Sequence, residues 1–182
     1  MSSGDFDRFI SGRKAIVDFY SDWCYPCKRL EEYMERKFKE HDITVGRVNC
    51  DTDPDICNRY GVEYIPMLVL FVEKKPVYIV IGYDKKAVDI MIRLYQELSD
   101  EEAFQTLKNI LSFAEKHDLL VNAPVLIPAI HFRGKRCPCR PNITQCPCPD
   151  ALEWINKKGR CYCGLFIKPK KKPKKKKPSQ PM

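Results

Sequence analysis

The run Ala15-Ile16-Val17-Asp18-Phe19-Tyr20 is almost wholly apolar, and it leads within four residues to Cys24-Tyr25-Pro26-Cys27. A short apolar run bounded by polar residues reads as a buried strand. Just after the cysteines, Leu30, Met34 and Phe38 recur four apart, which marks one face of a helix. A strand, a Cys-x-x-Cys and an amphipathic helix in this order confine the chain to few architectures. The turn of the helix brings the two sulfurs within bonding distance. Cys24 is placed at the helix N-terminus, where partial positive charge favours the thiolate. The pair is therefore read as a redox dithiol. The competing reading of the same spacing is half of a zinc site.

The following residues extend the alternation. Ile43–Val48 reads as a second strand, and Asp53-Pro54 opens a short helix through Arg59 that Gly61 stops. Met67–Phe71 and Val77–Ile81 read as two further strands, with Glu73-Lys74-Lys75 as the turn between them. Ala87–Leu98 closes this half as a helix with Ile90, Met91, Leu94 and Leu98 inward. Strands alternating with helices and ending in a hairpin and a helix predict an α/β domain with a mixed central sheet.

Two residues outside the dithiol stand out chemically. Asp18 lies within the buried strand, where a carboxylate is costly, and proton exchange with Cys27 is a role that would justify it. Pro66 precedes the strand Met67–Phe71 and is expected to be cis. Together with Trp23 beside the first cysteine, these features resemble the thioredoxin family. The matching stretches are Val17-Asp18-Phe19-Tyr20, Trp23 through Lys28, Val48-Asn49-Cys50-Asp51 and Tyr64-Ile65-Pro66, which together span about 90 residues. The resemblance implies that Cys24 attacks a target disulfide and that Cys27 resolves the mixed disulfide. Tyr25-Pro26 stands where the family usually has Gly-Pro. Cys50 and Cys57 are read as buried structural cysteines, the alternative being a regulatory disulfide between them.

Net charge is +8, but eight lysines lie between Lys168 and Lys177, so the remainder of the chain is close to neutral. Lysine repulsion and repeated proline predict a disordered, extended tail over 168–182. It is read as a solvated segment, with weak docking on an acidic electron carrier or on nucleic acid as the alternatives. Nucleic-acid binding by a folded face is not expected. Met1-Ser2-Ser3-Gly4-Asp5 carries no positive n-region, and no apolar h-region follows, so no secretory signal is expected. No run approaches the length of a membrane span. The expected compartment is the cytoplasm, where ten cysteines are catalytic or metal-bound more often than structural disulfides.

Six of those cysteines form Cys137-Pro138-Cys139, Cys146-Pro147-Cys148 and Cys161-Tyr162-Cys163. Ser99-Asp100-Glu101-Glu102 reads as a boundary and a capping box before them. Phe104, Leu107, Leu111 and Ala114 then line one helix face. Asn122-Ala123-Pro124 and Ile127-Pro128 read as loops, and Asp150–Lys157 as a short helix. Closely spaced thiolates in a reducing compartment repel one another unless a metal neutralises them. Four cysteines complete an iron–sulfur cubane or a tetrahedral zinc site, and six leave a pair over.

The three Cys-x-Cys pairs resemble the catalytic subunit of ferredoxin:thioredoxin reductase. The resemblance implies a [4Fe-4S] cluster held by Cys137, Cys146, Cys148 and Cys161, beside an active-site disulfide of Cys139 and Cys163. By the same correspondence Cys139 attacks the partner disulfide while Cys163 stays next to the cluster. Tyr162 stands where that family has histidine, and His131 is a candidate replacement in proton transfer. The expected architecture is thus a thioredoxin-like domain over 1–98, a small, mainly α, iron–sulfur domain over 99–167, and the tail. The expected function is ferredoxin-dependent disulfide reduction, with electrons passing through Cys139–Cys163 to Cys24/Cys27 and on to client disulfides. Two rivals stand beside it. The first half could serve only as a docking arm, or the C-terminal cysteines could bind zinc in a non-enzymatic interaction module.

Overall fold

The computed structural model describes residues 3–131 and 146–169. The chain divides into two units, Met1–Glu101 and Glu102–Met182.

In the first unit four strands form one sheet, ordered across it as second, first, third and fourth in the chain. Its strands are β1 (Ala15–Tyr20), β2 (Val45–Asn49), β3 (Met67–Val72) and β4 (Lys75–Ile81). β1 runs parallel to β2 and antiparallel to β3, and β3 is antiparallel to β4, so the sheet is mixed. The central position of β3 explains its composition: all six residues of Met-Leu-Val-Leu-Phe-Val are buried, as a strand covered on both faces requires.

Alternation along the strands assigns each face its core. Val17, Phe19, Met67, Val69 and Phe71 pack with Phe6 and Ile10 at the N-terminus and with Ile56 and Cys57. Phe6 meets Phe71 edge-on at 6.1 Å, and Tyr60 meets Phe71 at 5.2 Å. Ile16, Asp18, Leu68 and Leu70 point to the opposite face. Helix α2 (Tyr25–Glu40) covers that side, since its Glu31 pairs with Arg47, the β2 residue in register with Asp18. α2 buries Leu30, Met34 and Phe38, the face expected from their spacing, and also Cys27. Tyr33 on α2 donates to Asp89 on α4 (Lys85–Glu97) at 2.6 Å, which places these helices side by side.

Several local readings are corrected. Helix α1 (Ser3–Phe9) was not foreseen; it is short, and its place is set by Phe6 inserting among the sheet aromatics. Lys75 belongs to β4 rather than to the turn. The turn is only Glu73-Lys74, both at positive φ (47° and 68°), as a tight two-residue hairpin requires. In α4, Val88 and Ile92 are buried with Met91 and Leu94, whereas Ile90 is only half-buried. Asp84 caps this helix by accepting from the Ala87 N–H at 3.0 Å. The helix expected after Asp53 is α3 (Pro54–Arg59), with Pro54 in its first turn.

The second unit contains α5 (Glu101–Lys116), α6 (Ala123–His131) and α7 (Ala151–Lys158), with β5 (Leu120–Val121) antiparallel to β6 (Phe166–Ile167). In α5, Ile110 is buried and Leu111 is half-buried, a small rotation of the expected face. α6 replaces the loops expected around Pro124 and Pro128. Pro124 is in the first turn, where its missing N–H has no cost, and Pro128 lies inside the helix. Phe113 of α5 packs against Phe166 of β6 with the rings tilted and their centres 4.8 Å apart. α7 ends at Gly159, whose φ of 74° is the left-handed conformation that terminates helices. Cys137, Cys139 and most of the Lys-rich tail, 170–182, lie outside the described residues.

Candidate functional site

The parallel pair β1/β2 delivers its carboxyl ends to one edge of the sheet, and the first cysteines are there. Beyond Tyr20, the loop Ser21–Trp23 leads into α2, and the Cys24 N–H donates to the Ser21 carbonyl at 3.1 Å. Cys24 is the N-cap of α2, and its sulfur accepts the Cys27 backbone N–H at 3.2 Å. Tyr25 and Pro26 occupy the first two helical positions, where a proline costs no hydrogen bond. Cys24 and Cys27 are joined as a disulfide. When that bond opens, the Cys24 sulfur remains over the helix N-terminus, where the backbone donors and the helix dipole favour the thiolate.

Both cysteines are buried, while their chain neighbours Trp23 and Tyr25, and Tyr64 two residues before Pro66, are strongly exposed. The Ile65–Pro66 peptide is cis, as expected, and the Pro66 carbonyl accepts the Gly82 N–H at 2.8 Å at the end of β4.

Asp18 is 1% exposed. Arg47 Nε donates to its Oδ2 at 3.3 Å, and Arg47 also pairs with Glu31. Asp18 Oδ1 has no hydrogen-bond partner among the described residues. Burial is the dominant influence and raises the Asp18 carboxyl to about 6, against the opposing pull of the Arg47 charge. A group at that value exchanges protons near neutral pH. A cavity of about 340 Å³ lined by Tyr20, Ser21, Cys27, Glu31 and Arg47 brings solvent to the Cys27 side of the dithiol. Glu31 and Arg47 were not singled out from sequence. Arg47 was findable by counting from the strand ends, because parallel pairing sets it opposite Asp18.

The favoured reading of Cys50 and Cys57 as buried free cysteines is corrected: they are joined in a second disulfide, the bond of the alternative reading. The end of β2 and the start of α3 approach closely because Asp53 N–H bonds the Asn49 carbonyl at 2.9 Å and turns the chain back.

In the second unit, Arg160 to Ile167 folds into a hairpin. The Cys161 N–H donates to the Phe166 carbonyl at 2.9 Å, and Gly164, at φ 77°, turns the chain. The Phe166 N–H donates to the Cys161 sulfur at 3.2 Å, and the Cys163 sulfur is 3.8 Å from it. The contact with Cys163 and the surrounding backbone N–H groups pull the Cys161 thiol down to about 6 against the effect of burial. Two adjacent sulfurs, one sheathed in N–H donors, are a donor set suited to a metal. Among the described residues no three His, Cys, Asp or Glu side chains gather to hold a metal ion. Cys146 and Cys148 precede α7 across a cis Cys146–Pro147 bond, while Cys137 and Cys139 lie outside the described residues. The His131 side chain, at the end of α6, is exposed.

No helix among the described residues is long and apolar enough to cross a membrane. The thioredoxin family model matches residues 1–93. The chain is 37% identical over 100 residues to the thioredoxin of Chlamydia caviae, a stretch covering 54% of this chain and 96% of that protein. It is 36% identical over 98 residues to the mitochondrial thioredoxin-2 of Schizosaccharomyces pombe, covering 53% of this chain and 74% of that one. Among solved structures, the oxidised thioredoxin of Plasmodium falciparum matches 52% of this chain and 92% of its own at 26% identity, with a TM-score of 0.48.

Proposed function

This chain belongs to the thioredoxin family, and on that premise we propose that it reduces protein disulfides with electrons drawn through its own C-terminal cysteines. The thioredoxin-type disulfide oxidoreductase activity rests on one observation above all: Cys24 caps α2 with its sulfur and is bonded there to Cys27.

The geometry of the helix cap supports the following exchange. With the dithiol reduced, the Cys24 thiolate attacks one sulfur of a client disulfide, a mixed disulfide forms, and the first client thiolate leaves. Asp18, ionised above pH 6, takes the proton of Cys27. The Cys27 thiolate then attacks the Cys24 sulfur, releasing the second client thiolate and closing the Cys24–Cys27 disulfide. The client gains two electrons and the chain loses two. Exposed Trp23, Tyr25 and Tyr64 offer apolar surface to the client.

Restoring the dithiol needs a donor, and the C-terminal cysteines are our candidates. Cys137, Cys146, Cys148 and Cys161 would hold a [4Fe-4S] cluster, and Cys139 with Cys163 would form the neighbouring exchange pair. When bound, the cluster supplies electrons singly, as a ferredoxin or similar low-potential donor provides them. What supports this reading is the residue set, two Cys-Pro-Cys pairs with a third Cys-x-Cys in one unit, and the N–H-sheathed Cys161 sulfur. Carrying both halves in one chain raises their effective concentration for each other. A reducing compartment such as the cytoplasm suits this chemistry.

The test is anaerobic purification with iron, acid-labile sulfide and zinc quantified together. It is followed by ferredoxin-driven reduction, with thiols mapped at Cys24 and Cys27. The proposal expects a brown protein with four irons per cluster and new thiols at both positions. A colourless zinc protein would make the C-terminal unit an interaction module and overturn the electron route. It would leave the Cys24/Cys27 chemistry intact.

A further inference from the structure

We propose that the Cys50–Cys57 disulfide is a second thiol–disulfide exchange site of this chain, opened by thiolates at the Cys50 sulfur and selective for cationic thiols.

The two sulfurs differ in access. Cys57 is 4% exposed and belongs to the core with Phe6, Val17, Phe19 and Ile56. Cys50, at the end of β2, is half-buried and packs on the margin of that core. Exchange requires an attacking sulfur in line with the bond, so the half-buried Cys50 is the more reachable of the two, and core side chains close off Cys57. The Cys50 side also carries charge. Asp51, Asp53 and Asp55 all lie within five residues of Cys50, and Asp51 and Asp55 are exposed. No lysine or arginine occurs between Cys50 and Cys57. A thiol bearing an ammonium group is drawn to this rim, and one bearing a carboxylate is repelled.

The balance is that of ordinary exchange. A thiolate attacks the Cys50 sulfur, a mixed disulfide forms there, and Cys57 leaves and takes a proton. A second thiolate attacks the outer sulfur of the adduct, the small-molecule disulfide departs, and Cys50 is left reduced. Two thiols are oxidised and one protein disulfide is reduced. The departing Cys57 is buried among apolar side chains, which raises its thiol and makes it a poor leaving group. As a thiol it remains a small apolar core residue, so the reduced fold is retained.

The site adjoins the first. The Cys50 N–H donates to the Tyr20 carbonyl at 2.8 Å, and the side chain of Asn49 donates to Asp22 at 3.0 Å in the loop leading to Cys24. The second disulfide therefore ties α3 to the strand end that steadies the active loop.

The experiment uses the oxidised full-length chain carrying Cys24→Ser and Cys27→Ser, which silences the first dithiol. The protein is exposed to cysteamine, 2-mercaptoethanol and 3-mercaptopropionate without denaturant. Samples are quenched in acid, and the peptide carrying both Cys50 and Cys57 is fragmented in the mass spectrometer so that each adduct is assigned to one of the two positions. Thiols at Cys50 and Cys57 should appear together, with transient adducts on Cys50 alone. Cysteamine should act about tenfold faster than 3-mercaptopropionate after correction for thiolate content, and the ratio should collapse in about 1 M salt. Adducts on Cys57, no opening without denaturant, or a salt-independent order of the three thiols would each overturn the proposal. The same peptide followed in the unsubstituted chain gives the same reading if the double variant fails to fold, since positions 24 and 27 fall on a separate peptide from positions 50 and 57 after cleavage at Lys28 or Arg47.

Discussion

Arg47 Nε donates to Asp18 Oδ2 at 3.3 Å, while Oδ1 of the same carboxylate, 1% exposed, has no hydrogen-bond partner among the described residues. The carboxyl is held by one side and left bare on the other. Burial therefore outweighs the guanidinium and raises it from 3.8 to about 6.

A raised carboxyl makes stability depend on pH. Between 3.8 and about 6 the folded protein binds more protons at Asp18 than the unfolded chain does, so stability falls as pH rises through this window. Above it the penalty is complete, on the order of 3 kcal/mol by the usual conversion. Asp18→Asn should therefore stabilise the oxidised protein by up to about that amount at pH 8 and by little near pH 4. Urea unfolding at the two pH values measures the difference. An equal effect at both would remove Asp18 as a buried titrating group.

Arg47→Gln deletes the positive charge beside Asp18 but keeps a hydrogen-bond donor. The Asp18 carboxyl should then titrate at a higher pH than in the parent, because its only opposing influence is weakened. Arg47→Lys, which restores the charge, should bring it most of the way back. Carbon-13 NMR of the Asp18 carboxyl reads the shift directly. The rate of client reduction should follow the same displacement along the pH axis.

Phe6→Ala removes a fully buried ring that contacts Phe19, Tyr60 and Phe71. The cost should be about 3–5 kcal/mol, the range for large core truncations. Thermal or urea unfolding of the oxidised protein checks it. A loss well under about 1 kcal/mol would mean that α1 is not part of the core.

Legibility tracked how many local signals agreed. Around Cys24, strand composition, helix spacing and capping position all pointed one way, and the structure follows them. α1 was hidden because its only strong signal is Phe6 finding Phe71 and Tyr60, a contact across more than fifty residues. α6 was hidden by prolines that break helices on average but are tolerated where Pro124 starts one. The Cys50–Cys57 bond was ambiguous because sequence reports their separation of 7 but not the turn at Asn49–Asp53 that brings them together. The Asp18 partner required strand register, which sequence specifies only once neighbouring strands are known. In the second unit, the pairing of Cys161 with the backbone of Phe166 depends on a hairpin that Gly164 alone barely announces.

The most direct measurement concerns the division of labour between the two cysteines of the first site. Full-length Cys27→Ser and Cys24→Ser proteins, reduced and then mixed with an oxidised client protein, should behave differently. Cys27→Ser should accumulate a stable mixed disulfide at Cys24, identified by mass, while Cys24→Ser should form none at Cys27. A trapped adduct on Cys27, or none on Cys24 in a folded protein, would contradict the account.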